Sequence, residues 1–106
     1  MLSQTYDGRA EIEMNTVDNI HEYTTKMVTE CTDDVITEVG SSLAKYGHFS
    51  SPHEGYAVIL EELDELWDEI KTKNGYANPA YHEAKQVAAM ALVYMMECYK
   101  HANPIK

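Results

Sequence analysis

The chain has 106 residues, of which 44% are hydrophobic and 25% are charged, and its formal charge at pH 7 is −10. This length and composition are those of one small globular domain, and they exclude a wholly disordered chain. The negative charge repels phosphate backbones and anionic lipid headgroups, so we expect no nucleic-acid partner and no membrane partner.

The N-terminal segment predicts neither a signal peptide nor a membrane anchor. Residues 1–15 are polar and aperiodic, so we expect an irregular arm there. The longest apolar run, Val87–Met96, is about half the length of a membrane span. Cys31 and Cys98 form no CxxC motif, and reduced thiols in a cytoplasmic protein are the simplest interpretation.

The first helical region is Thr16–Tyr46, and it opens the single all-α domain that we assign to residues 16–106. Apolar residues recur in this region at three- and four-residue spacing, which indicates one face of a helix. Thr32, followed by Asp33 and Asp34, is a suitable N-cap for a second helix. The pattern therefore leaves open whether one long helix or two form here.

The second helix has a clear N-terminal signal. Ser51 is a suitable N-cap, Pro52 fits the first helical position, and Glu54 completes an S-x-x-E capping box. The helix should run to about Thr72. Its apolar stripe, in which we expect Trp67 to be a core residue, consists of Ile59, Leu63, Leu66, Trp67 and Ile70.

The last helix follows a Gly- and Pro-containing break, where Asn78 can cap it and Pro79 can open it, and it should end near His101. Val87–Met96 is apolar around the whole helix, so it belongs at the centre of a bundle or in a subunit interface. These elements predict an all-α antiparallel helical bundle of three to four helices that assembles as a homodimer or homotetramer.

Acidic residues are concentrated in the second helix, where six carboxylates occur in the nine residues from Glu61 to Glu69. Like charges four residues apart destabilise a helix by about 0.2–0.5 kcal/mol per pair, and a bound cation reverses the sign of this effect. Glu62 and Glu65 border the apolar stripe three residues apart, so both could ligate one Mg²⁺ ion. The alternative is a solvated acidic face that binds no ion.

Another carboxylate lies at the start of the last helix. Glu83 and Gln86 share a helix face with apolar residues and should point inward, where an unpaired charge is costly. A cation held jointly with Glu62 and Glu65 would provide a partner for Glu83. The alternatives are an ion pair with Lys85 or an exposed position in the first turn, where the helix dipole favours acidic groups.

These residues resemble a known signature. Glu61-Glu62-x-x-Glu65 and Glu83-x-x-Gln86 are similar to the EExxE…ExxD motifs of the all-α nucleoside triphosphate pyrophosphohydrolases, the MazG-like family. The resemblance covers about residues 35–98, and it extends to a small branch of the family in bacteria and phages. It implies a helical bundle, usually a dimer or tetramer, that cleaves a nucleoside triphosphate between the α- and β-phosphates.

The resemblance also implies roles for individual residues. Glu62, Glu65 and Glu83 would ligate Mg²⁺, with Mn²⁺ as a possible substitute. The ion would bridge phosphate oxygens and lower the pKa of a bound water. One glutamate would take the proton of that water, and the candidates are Glu61 and Glu62.

Gln86 occupies the fourth ligand position, where the family has Asp. Its carbonyl oxygen can bind Mg²⁺ but adds no charge, and Glu69 or Glu97 could compensate. Gln86 therefore supports a second hypothesis, a non-catalytic module on the same fold that binds a nucleotide or a protein. A third hypothesis is an oligomeric helical scaffold with an acidic surface.

Substrate contacts outside the motifs are less specific. His53, at the start of the second helix, and Lys85 are candidates for phosphate binding, as are Lys45, Lys71 and Lys73. No two histidines have metal-ligand spacing, so we expect no zinc site. The aromatic residues that could stack on a base are Trp67, Tyr46, Tyr56, Tyr76, Tyr81 and Tyr94.

Overall fold

The computed structural model of the chain describes residues 10–72 and 75–105. Within these residues the structure is helical throughout, without strands, and consists of α1 (Ala10–Tyr46), α2 (Pro52–Thr72) and α3 (Asn78–Ala102). The all-α fold class is therefore confirmed. Residues 1–9 of the predicted N-terminal arm, like Lys73, lie outside the described residues, and α1 already begins at Ala10.

The first helical region forms one helix rather than two, because Thr32 and the two aspartates after it lie inside α1. The chain divides at Thr32 into two compact units, within the range that the sequence analysis assigned to one domain. In the first unit, the side chains of Val17–Thr32 are exposed except for Ile20, which is partly buried. The second unit contains the end of α1, both other helices and every predicted site residue.

A glycine turn and a capping box separate α1 from α2. Gly47 adopts a φ of 77°, and its amide donates to the Leu43 carbonyl at 2.9 Å, as in a left-handed helix cap. The Glu54 amide donates to Ser51 Oγ at 3.0 Å, and the Glu54 carboxylate accepts from the Ser50 amide. The capping box is therefore present, with its return bond one residue earlier than in the standard form.

The start of α3 differs by one residue from the prediction. Ala77 is the N-cap, in an extended conformation, and Asn78 is the first helical residue rather than the cap. The Ala77 carbonyl accepts from the amides of Ala80 and Tyr81 at 3.0 and 3.1 Å, which places it at the beginning of the helix. Pro79 sits in the first turn, as expected, because it needs no hydrogen-bond acceptor there.

The core of the second unit forms between the three helical segments. Helices α2 and α3 pack against each other, as expected for helices joined by the short connection 73–77. The end of α1 contributes Val39, which packs with Ala89, Met90 and Val93 of α3. Partly buried residues surround this cluster: Val35, Leu43, Phe49, Val58, Ile59, Leu92 and Met96.

The expected core position of Trp67 is wrong for the single chain. Trp67, expected in the core, is 55% exposed, since one side of α2 packs against α3 and Trp67 lies on another. Its neighbours Leu63 and Ile70 are exposed as well. Val87–Met96, predicted at the centre of a bundle or in a subunit interface, supplies the buried residues Ala89, Met90 and Val93, while its Met95 is exposed.

Candidate metal centre

Three glutamates from two helices converge at one point. Glu62 and Glu65 lie about one turn apart on α2, and Glu83 lies near the start of α3. Each offers a carboxylate oxygen within 4.8 Å of the other two. Glu62 and Glu83 are partly buried, whereas Glu65 is exposed. These are the three carboxylates that the sequence analysis proposed as ligands of one ion.

The electrostatics of this group disfavour three negative charges in the absence of a cation. Burial, followed by the charges of Glu65 and Glu83, raises the pKa of Glu62 to about 7. Burial and the charge of Glu65 likewise raise the pKa of Glu83. Burial and the neighbouring negative charges both favour the protonated forms of Glu62 and Glu83 when no cation is present.

Glu83 has a buried oxygen without a hydrogen-bond partner. Its Oε1 atom is shielded from solvent and accepts no hydrogen bond from any described residue. Lys85 does not provide the partner; its Nζ atom lies 3.9 Å from Glu38 Oε1 on α1. Buried carboxylate oxygens normally have a hydrogen-bond donor or a cation beside them. The free oxygen of Glu83 therefore fits a position where a cation binds.

The remaining motif residues lie beside the same pocket. Glu61 and Gln86 line it together with the three converging carboxylates. Glu97 cannot compensate for the neutral side chain of Gln86, because it pairs with His48 and with Lys100. Although partial burial acts in the opposite direction, these two pairings lower the pKa of Glu97. Glu69 is outside the pocket lining, but its charge contributes to the raised pKa of Glu83.

The pocket has a volume of about 630 Å³, within the usual range for small-molecule sites. Its walls come from α1, the α1–α2 connection, α2 and α3, all in the second unit. Apart from the motif residues and the aliphatic side chains, it is lined by Glu38, Ser41, Ser42, Lys45, Tyr46, Gly47, His48, Phe49, Glu54 and His82.

Several predicted substrate contacts do not line this pocket. His53 and Lys85 are not among its lining residues, and Lys71 instead pairs with Asp68 at 3.4 Å. Of the aromatic candidates, only Tyr46 lines the pocket. The structure therefore gives no support for phosphate contacts from these basic residues, and among the described lysines Lys45 is the one that lines the pocket.

The wall that α1 contributes was predicted only at Lys45 and Tyr46, and Glu38 and Ser42 were not predicted. Glu38, Ser42 and Lys45 follow one another at four- and three-residue spacing, so they share one side of α1. That spacing was a usable signal, since the apolar stripe on the same helix marks the side that faces the core. His48 and Phe49 carry no such signal, because they lie in the connection after Gly47.

Comparisons with family models, with curated proteins and with solved structures find no match to the chain. The resemblance to the MazG-like family therefore depends on the motif residues and their placement. In the described part of the chain, the helices lack the combination of length and apolar character that crossing a membrane requires.

Proposed function

We propose that the chain is a Mg²⁺-dependent nucleoside triphosphate pyrophosphohydrolase of the MazG-like type. The observation that carries the proposal is the convergence of Glu62, Glu65 and Glu83 from two helices, at the positions where the signature has metal ligands. A solvated acidic face would keep its carboxylates apart and hydrated. It would not account for the unpartnered buried oxygen of Glu83.

The donor set fits a hard divalent cation. Three carboxylates and the amide carbonyl of Gln86 would offer only oxygen ligands, which suit Mg²⁺ and Mn²⁺. When bound, the ion would offset charge on the phosphate oxygens and lower the pKa of a water molecule. Mg²⁺ usually retains several sites for water and phosphate, so a set of this size leaves room for substrate.

The reaction consumes one water molecule. The water oxygen would attack the α-phosphorus, the bond from that phosphorus to the α–β bridging oxygen would break, and the products would be a nucleoside monophosphate and pyrophosphate. A carboxylate must accept the proton of the water. Glu61 is suited to this role because it lines the pocket without belonging to the converging group, and Glu62 is the other candidate.

We also propose that the active form is a homodimer or homotetramer. The large apolar side chains on the outer side of α2 are exposed in the single chain, and a second copy would cover them. Free thiols at Cys31 and Cys98 agree with a cytoplasmic location, where nucleotides and Mg²⁺ are available.

The second candidate is a module that binds a nucleotide or a protein without turnover. The specific observation in its favour is Gln86, which lines the pocket and supplies no negative charge where the signature has an aspartate. A site with one charge fewer would hold its cation more weakly. Both candidates require metal binding, which separates them from an acidic scaffold.

A screen of the common ribo- and deoxyribonucleoside triphosphates with Mg²⁺ or Mn²⁺, read as pyrophosphate release, tests the proposal. We expect release from at least one nucleotide and its loss in Glu83→Gln. Asp64→Asn is the matched control, because Asp64 is an exposed acid of α2 outside the pocket. Absence of release from every nucleotide, with metal demonstrably bound, would favour the binding module.

A further inference from the structure

The part of the pocket wall that α1 contributes includes a further carboxylate, that of Glu38. Glu38 Oε2 accepts a hydrogen bond from Ser42 Oγ at 3.1 Å, and Oε1 lies 3.9 Å from Lys85 Nζ. The side chains of Glu38 and Lys85 are mostly buried, with 20% and 22% of their surface exposed. Two contacts therefore orient the carboxylate from two helices.

Glu38 still has hydrogen-bonding capacity towards the pocket. An ionised carboxylate accepts about four hydrogen bonds in total, and Ser42 and Lys85 account for two at most. Since a carboxylate only accepts, the part of a ligand beside it must donate. Phosphate groups lack such donors and carry the same sign of charge. Glu38 is therefore unsuited to the triphosphate and suited to the nucleoside.

We propose that Glu38 recognises the nucleoside by accepting from two neighbouring donors, an inference that rests on the proposed function. Two sources provide this chemistry: the N1–H and 2-amino groups of guanine, and the 2′- and 3′-hydroxyls of ribose. The walls nearby suit a nucleoside, because the rings of Tyr46 and Phe49 line the same pocket.

A purely structural role for Glu38, as a link between α1 and α3, predicts different behaviour. The chain offers a control in Asp34, one turn earlier on α1, whose carboxylate accepts a hydrogen bond from the Tyr81 hydroxyl of α3. Asp34 does not line the pocket. If both carboxylates only join helices, Glu38→Gln and Asp34→Asn should change stability and leave ligand selection unchanged.

The test is calorimetric binding of the α,β-methylene analogue of GTP in the presence of Mg²⁺, compared with its inosine and 2′-deoxyguanosine counterparts. Inosine lacks the 2-amino group, and the deoxy compound lacks the 2′-hydroxyl. The unmodified protein should bind the guanosine analogue about tenfold more tightly than one of the two counterparts. Glu38→Gln should abolish this preference, because the NH₂ group of the glutamine would face one of the two donor groups of the nucleoside. Asp34→Asn should retain it.

The counterpart that binds weakly identifies whether the base or the sugar contacts Glu38. An unchanged preference in Glu38→Gln, or no binding of any of the three compounds, would overturn the inference. Because the analogues are not cleaved between the α- and β-phosphates, the outcome is independent of turnover. Selective binding without pyrophosphate release from natural nucleotides would refute the proposed reaction and leave the role of Glu38 intact.

Discussion

Glu62 illustrates how burial and like charges act together on one side chain. Its carboxyl is partly buried between α2 and α3, beside two other carboxylates, and its pKa is raised from 4.5 to about 7. A group whose folded pKa exceeds its unfolded pKa binds more protons in the folded state. Its contribution to stability is complete when the pH is below the pKa of the unfolded state. That contribution is lost as the pH rises through the pKa of the folded state.

The metal-free protein should therefore become less stable between about pH 4.5 and pH 7. The measurement is the midpoint of thermal unfolding in EDTA, followed by circular dichroism across this interval. Glu62→Gln should flatten the dependence because it removes the titrating group. A decline of equal size in Glu62→Gln and in the unmodified protein would contradict this account.

Mg²⁺ should offset this loss of stability at neutral pH. An ion that binds only the folded state stabilises it by about 2.7 kcal/mol at one hundred times its dissociation constant. We expect Glu65→Gln to abolish the upward shift of the unfolding midpoint, since Glu65 belongs to the converging group. Asp64→Asn should keep it. Equal responses in the two variants would indicate diffuse charge screening rather than a site.

Gln86 is the residue at which the site departs from the signature, and it can be tested directly. Gln86→Asp adds a negative charge to the ligand set and should tighten Mg²⁺ binding by roughly tenfold. Isothermal titration calorimetry measures the affinity. Gln86→Asn is the matched control, because it shortens the side chain by the same methylene and stays neutral. If both variants bind Mg²⁺ more tightly, the shorter side chain and not the added charge is the cause.

At the scale of elements, the start of α2 is positioned by a close approach to α3. A Cβ atom on Gly55 would lie 2.7 Å from the Tyr94 ring and 2.8 Å from the Phe49 ring. Only glycine leaves room for both rings. This contact holds the α1–α2 connection, which carries Phe49 and His48, against α3 beside the pocket.

Gly55→Ala should destabilise the protein by about 1–3 kcal/mol because the two rings must move. Chemical denaturation measures the change in the free energy of unfolding. Gly40→Ala is the control, since a Cβ there would meet nothing within 4 Å and Gly40 lies inside α1. That change should stabilise the helix by about 0.5–1 kcal/mol. The same destabilisation in both variants would refute the packing argument.

At the scale of the whole molecule, α2 has two apolar sides, and only one of them packs against other residues that the structure describes. Val58 and Ile59 pack against the core. Another series follows at four- and three-residue spacing and is exposed in every member: Tyr56, Leu60, Leu63, Trp67 and Ile70. Such spacing is typical of a helix that packs along a partner helix. This surface, rather than Val87–Met96, is the better candidate for the subunit interface.

We expect light scattering at micromolar concentration to find a dimer or tetramer. Trp67→Glu should shift the association equilibrium towards the monomer. Met95→Glu serves as the comparison, because Met95 is the exposed large side chain of the segment that the sequence placed in the interface. A monomeric unmodified protein would contradict assembly. Dissociation by Met95→Glu alone would return the interface to α3.

The sequence by itself determined the all-α fold class, the approximate bounds of α2 and α3, and the candidate metal ligands. Local signals define helix ends: the capping box at Ser51 and Glu54 depends on residues three apart, and Gly47 permits the turn that ends α1. The predicted N-cap of α3, Asn78, is one residue after the observed cap, Ala77. The three carboxylates could be proposed because helical spacing gives the side on which each lies, and burying an unpaired charge is unfavourable.

Only the tertiary structure decided which sides of the helices are covered and which residues line the pocket together with the motifs. Trp67 belongs to an apolar stripe, but periodicity cannot tell which part of a wide stripe the neighbouring helix covers. Glu38 and Lys85 meet across α1 and α3, 47 residues apart in the chain. Contacts of this kind depend on how helices pack, because local sequence encodes the shape of each helix and not the identity of its neighbours.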